Sequence, residues 1–263
     1  MFKKQFVITI LSILILSTAA FAVSGSYTGR DIMRLVEKGS SPKTTHAAVQ
    51  LDIIEKNGTK KTRIIEMWMA KDKNDLNRTL IVFIKPTSVK NTRFLVLQNK
   101  GKPDDQYIYL PALRRVRRIS ASSRNKSFMG TEFTYEDMST RNLDDDTHRI
   151  LREEKYQGYD CYVIESVPKK KSNYSYSKTV KWVAKDKWVI LKVEMYDKSG
   201  NLKKVLTMDK LEKIGKYWTP RVTTVKNVQT GRATILTDLN IEYDKKLPSQ
   251  LFSVQYLKRG KLD

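Results

Sequence analysis

From His46 onward, apolar and polar residues alternate with a period of two, and this alternation limits the fold more than any other feature of the chain. Val49, Leu51 and Ile53 fall on one side of a first strand, with Gln50 and Asp52 on the other. Asn57-Gly58 supplies a hairpin turn, because both residues tolerate positive φ. The returning strand sets Ile65, Met67 and Met69 against Ile64, Glu66 and Trp68. The same pattern recurs in Val189, Leu191, Val193 and Met195, and a turn at Lys198-Ser199-Gly200-Asn201 leads into Leu202 to Leu211. It returns in Ile235, Leu239, Ile241 and Tyr243. About ten such segments, spaced as in a meander, predict a mainly β domain.

Only three short stretches break the pattern: Thr28 to Lys38, Tyr135 to Leu143, and Pro248 to Phe252. The first predicts an amphipathic helix capped by Thr28 or Ser26, with Asp31 in its first turn and Gly39 after its end. Its apolar stripe is Ile32, Leu35 and Val36. So few helices cannot blanket a flat sheet of about ten strands. Strand twist and the need to hide apolar side chains therefore predict a curled sheet, a barrel or part of one. Such interiors are either filled by side chains or left as ligand cavities. Leu80, Val82 and Ile84 oppose Ile81 and Phe83, so that strand is covered on both sides.

Residues 1–22 carry the three parts of an export signal: Lys3 and Lys4, an apolar run from Phe6 to Leu16, and Ala20-Phe21-Ala22 at the cleavage site. The stretch from Phe6 to Ala22 interrupts its apolar run with Thr9, Ser12, Ser17 and Thr18, and is short for a bilayer span. Cleavage after Ala22 leaves no cysteine to lipidate, so residues 23–263 are expected to form a single, unanchored domain in the periplasm. Nothing in the sequence demands an oligomer, and a monomer is expected.

Composition excludes much enzymology. The chain holds one cysteine, Cys161, and two histidines, His46 and His148, too few for a conventional metal centre; no metal or cofactor is expected. No nucleophile elbow, zinc-protease helix or phosphate loop is present. His148 beside Asp144, Asp145 and Asp146 is the only catalytic-looking group, and three consecutive acids more often form a solvated turn. A net charge of +22 and a pI near 9.9 would suit nucleic acid, but an exported protein meets little of it, so no nucleic-acid partner is expected. A module that binds an exporter or an anionic polymer without transporting anything is the other reading open to so basic a chain.

Tyr107-Ile108-Tyr109-Leu110-Pro111-Ala112-Leu113-Arg114-Arg115-Val116-Arg117-Arg118-Ile119 and Ser127-Phe128-Met129-Gly130-Thr131-Glu132-Phe133-Thr134-Tyr135-Glu136-Asp137-Met138 form a distinctive central block. With Tyr217-Trp218-Thr219-Pro220 and Leu247-Pro248 to Leu257, this block resembles the LolA-like outer membrane lipoprotein-sorting family. The resemblance implies a half-open antiparallel β-barrel with helices plugging its concave apolar face. It further implies a periplasmic carrier of acylated lipoproteins or other lipids, in a branch associated with inner-membrane exporters of the resistance-nodulation-division type. The high positive charge departs from the family pattern.

Holding an acyl chain requires an accessible apolar wall; burial returns roughly 0.8 kcal/mol per methylene. Candidates for that lining are Met67, Met69, Val82, Phe94, Val96, Leu191, Val193 and Ile241, all on strands with apolar alternation. Candidates for a lid are Ile32, Leu35 and Val36 on the helix, and Phe128 and Met129 before Gly130. The lid loop could equally be tucked permanently into the core. Arg114, Arg115, Arg117 and Arg118 form the densest charge run, suited to anionic headgroups of a membrane surface, met transiently, or to an acidic partner. Lys169-Lys170-Lys171 reads as a loop without an assigned role.

Overall fold

The period-two pattern resolves into thirteen strands in a computed structural model that describes residues 27–39, 41–170 and 174–261. The export signal read at 1–22 and Lys171 lie outside these residues. In chain order the strands are β1 (Thr44–Ile54), β2 (Lys60–Lys71), β3 (Asn77–Lys85), β4 (Arg93–Leu97), β5 (Asp105–Leu110), β6 (Arg115–Arg118) and β7 (Asp146–Tyr156). They continue with β8 (Tyr159–Pro168), β9 (Lys178–Ala184), β10 (Val189–Tyr196), β11 (Leu202–Ile214), β12 (Tyr217–Asn227) and β13 (Ala233–Tyr243). All neighbours are antiparallel, in the order β6-β5-β4-β3-β2-β1-β13-β12-β11-β10-β9-β8-β7. β13 returns to β1 and joins two meanders into one sheet, while β6 and β7 remain its unpaired edges. The result is a curled, half-open barrel, the form that the family resemblance implied, with thirteen strands where the alternation suggested about ten.

The curl is visible in one side chain. The segment 119–145, between β6 and β7, lies in the trough and packs Phe128 against Val49, Ile65, Phe83, Phe94 and Ile108 of β1 to β5. Phe133, in the same segment, touches both that cluster and Val193, Leu206 and Val225 of β10 to β12. A flat sheet could not bring those strands to one ring.

The two faces of the sheet are closed by different means. Outside β2 to β6, the 3-10 turn Ser249–Phe252 and helix α2 (Val254–Arg259) press Leu251 and Leu257 onto Leu80, Val82 and Leu95. Outside β8 to β12, rings cover the sheet instead: Tyr156, Tyr159 and Trp218 close over Cys161, Val163, Trp182 and Leu191. Lys192 and Lys187 lie 4.2 and 4.9 Å over the Trp182 and Trp218 rings. Their aliphatic stems add cover while the ammonium groups pair with Glu194 and Asp186 respectively. Buried Cys161 is a core residue of this layer.

The N-terminal helix, here α1 (Gly29–Gly39), lies inside the trough on β7 to β10. Thr28 caps it: the Asp31 amide donates to the Thr28 hydroxyl at 3.2 Å, and the Thr28 amide donates to the Asp31 carboxylate at 3.1 Å. Gly29 permits the close approach, since a Cβ there would stand 2.8 Å from the His148 carbonyl group. Ile32 and Val36 are buried against Ile164 and Val183. Each contributes roughly 1.5–3 kcal/mol by leaving water.

Candidate functional site

Between α1 and the tip of segment 119–145 the trough is not filled. The gap is a cavity of about 830 Å3, inside the range of roughly 300–1,000 Å3 common for small-molecule sites. Met33 and Val36 of α1 line one side; Thr45 of β1 and Met69 of β2 line another; Val193 and Met195 of β10 close a third, and Met138 comes from the trough segment. Four methionines around one cavity form a lining that can repack around a flexible apolar guest, because the thioether chain has several rotatable bonds and no branch. Glu37, Asn74, Asp75 and Lys100 form the exposed rim.

One part of the wall is polar. Lys181 of β9 stands in the apolar run Val180-Lys181-Trp182-Val183 and turns its side chain to the cavity. Its ammonium donates to the Ser166 hydroxyl at 2.8 Å, and burial pushes its pKa down to about 8. The Ser166 hydroxyl lies 2.9 Å from Nδ1 of His148, whose Nε2 lies 2.9 Å from the Leu143 carbonyl. The Leu143 carbonyl can only accept, so Nε2 carries a proton. Burial holds the His148 pKa below its usual 6.5, so at neutral pH the ring is neutral, Nδ1 is bare, and the serine hydroxyl donates to it. Asp146, the nearest acid, is taken by Arg141, which donates from Nε at 2.8 Å and also from Nη2. Among the described residues, no group of three or more His, Cys, Asp or Glu is placed to hold a metal ion. No helix there is long and apolar enough to cross a membrane.

A structure described as an outer membrane lipoprotein-sorting protein domain, from Vibrio parahaemolyticus, matches with 32% identity over 88% of this chain and 98% of its own, at a TM-score of 0.83. A DUF1329 family protein from Desulfovibrio piger matches with 31% identity over 87% of this chain and 97% of its own, at a TM-score of 0.84. This chain belongs to the LolA-like outer membrane lipoprotein-sorting family. A LolA superfamily protein from Nitrosomonas europaea, at 18% identity and a TM-score of 0.69 over 88% of this chain and all of its own, shares the fold. A family model described only as an uncharacterized protein matches residues 75–259. No curated protein matches the chain.

In this LolA-like trough the sequence-predicted lining residues fall into three groups. Met69 and Val193 line the cavity. Met67, Phe94, Val96 and Ile241 lie on the same concave wall, beneath segment 119–145. Val82 and Leu191 lie on the outer face, under the C-terminal turn and among the aromatic rings respectively. β3 is apolar on both sides, so its pattern could not say which side was concave. In β10 the register shifts between Ile190 and Lys192, which separates Val189 and Leu191 from Val193 and Met195.

The lid residues also divide. On α1, Ile32 and Val36 are buried and Leu35 partly so, with Val36 at the cavity wall. Phe128 is buried deep in the trough, its ring 4.9 Å from that of Phe94 and 5.6 Å from that of Tyr135. Its neighbours Met129 and Gly130 make a turn at positive φ, and Arg63 and Arg232 donate to their carbonyl oxygens. The arginine run forms the tip and edge of the β5–β6 hairpin. Arg114, Arg115, Arg117 and Arg118 are exposed, and Arg118 is paired with Asp105. Sequence reasoning missed Met33, Met138 and Lys181. A lysine between Val180 and Trp182 was the available signal, since strand cores rarely admit one without a use for it.

Proposed function

We propose that the protein is a periplasmic carrier that takes an acyl chain into the methionine-lined cavity beneath α1 and shuttles a lipid or lipoprotein toward the outer membrane. The observation that carries this reading is the cavity itself, a gap of about 830 Å3 walled by Met33, Met69, Met138, Met195 and Val193. A twelve-methylene chain buried there would gain on the order of 10 kcal/mol at roughly 0.8 kcal/mol per methylene, enough to hold cargo without a covalent bond. The relative described as a lipoprotein-sorting domain supports cargo of this class. The work is binding, with no reaction assigned to the cavity.

The export signal read at residues 1–22 accounts for the compartment, and the donor is an inner-membrane exporter of the resistance-nodulation-division type. Docking falls to the β5–β6 hairpin, where Arg114, Arg115 and Arg117 surround Leu113, 53% exposed at the tip. An anionic leaflet attracts such residues by roughly 1 kcal/mol each. The protein acts as a monomer, picking up one guest at a time.

Replacing Met69 by Arg places a charge and extra bulk in the cavity. A fluorescent fatty acid should bind the native chain at one per protein and bind Met69→Arg at least tenfold more weakly. Equal binding by the two would contradict the assignment of the cavity.

A further inference from the structure

The polar part of the cavity wall narrows the class of guest. We propose that Lys181 is the counter-ion for a single anionic group, carboxylate or phosphate, carried by the amphiphile that the cavity holds; this rests on the cavity reading above.

Three observations carry it. First, Lys181 makes no ion pair among the described residues, and its one hydrogen bond goes to the neutral Ser166 hydroxyl. Two of its three N–H donors are left for a ligand. Second, the neighbours that might neutralise it are committed elsewhere. Asp146 is held by two donors of Arg141, and the serine–histidine relay ends on the Leu143 carbonyl with His148 neutral. The positive charge at this point of the wall is therefore uncompensated, in a place where desolvation makes such a charge costly unless an anion joins it. Third, the Thr45 hydroxyl, on the cavity wall formed by β1, is buried with no hydrogen-bond partner among the described residues. A wall meant only for hydrocarbon has no use for either group. The methionines suit the tail, and Lys181 suits the head.

The test is equilibrium binding of radiolabelled palmitate, hexadecyl phosphate and hexadecanol to the native chain, Lys181→Met and Lys181→Arg. Native protein should prefer at least one anionic probe to hexadecanol by tenfold or more. Lys181→Met should lose that preference while binding hexadecanol within twofold of native, and Lys181→Arg should keep it. Whichever anionic probe loses more in Lys181→Met identifies the group as carboxylate or phosphate. Two further outcomes overturn the assignment and leave the cavity reading standing: hexadecanol binding as tightly as both anionic probes, or Lys181→Met binding all three as native does. Loss of hexadecanol binding together with the anionic probes would make Lys181 structural, and overturns it too. Competition by acetate or inorganic phosphate alone, at the concentrations that suffice for the amphiphiles, would make this a site for free anions and overturn it. If native protein binds none of the three probes, the carrier reading fails first and this inference falls with it.

Discussion

Segment 119–145 and helix α1 cover two halves of the same concave wall, yet they are held there by different forces. The segment is both packed and latched. Lys204 pairs with Asp137 at 3.2 Å, with side chains only 4% and 11% exposed, and the Tyr176 hydroxyl donates to the same carboxylate at 3.1 Å. The Glu132 amide donates to Thr234 at 2.9 Å, and Asn227 donates to the Glu132 carboxylate at 3.0 Å. Helix α1 has no such set among the described residues. It rests on Ile32 and Val36 and on an exposed pair between Arg30 and Asp144, at 2.6 Å. Directional bonds in a dry interior fix one geometry, whereas apolar contact tolerates sliding and lifting. On the carrier reading proposed above, the segment is a plug and α1 a door: the cavity lies beside the cover held by fewer directional bonds.

The largest effects should come from breaking the plug. Phe128→Ala removes a ring from a four-ring cluster with Phe83, Phe94 and Tyr135, and Lys204→Ala strands the buried Asp137 carboxylate. Each should cost roughly 3–5 kcal/mol in urea unfolding. A loss below about 1 kcal/mol would mean that the segment is only loosely held. Breaking the door should cost less. Gly29→Val forces α1 away from the His148 carbonyl, with an expected loss of about 1–3 kcal/mol. Release of a bound fatty acid should quicken severalfold in stopped flow, and unchanged release would show that α1 is no gate.

Beneath the door, His148 supplies a pH test. Burial holds its pKa below 6.5, so the unfolded chain takes up a proton that the folded chain refuses. Its contribution is present above pH 6.5 and is lost as pH falls through 6.5 toward the lower folded value. His148→Gln should flatten that part of the stability profile, and an unaltered slope would place the proton uptake elsewhere. The smallest effect belongs to Arg30→Ala. Its pair with Asp144 has side chains 46% and 69% exposed, so a urea midpoint indistinguishable from native is expected.

Much of the trough was legible in the residues, because period two, the Asn57-Gly58 turn and the shortage of helices each restrict a sheet physically. The capped helix at Thr28 was legible for the same reason, since Asp31 and Gly39 mark its ends. The lining was only half legible. Alternation says which residues share a face, never which face is concave, and Val82 lies outward for that reason. Alternation also fails across a bulge, as at Leu191, and at Leu239, which is 51% exposed while Ile241 packs inward. The plug was least legible of all. Lys204, Asp137 and Tyr176 are far apart in sequence and meet only because the sheet curls around them.

The most direct measurement is amide hydrogen exchange of the native chain with and without bound palmitate. The account expects α1, residues 29–39, to exchange readily in the free protein and to slow by tenfold or more when the cavity is occupied. Residues 127–139 should be equally protected in both. Protection that changes in 127–139 and leaves α1 untouched would contradict the division into plug and door.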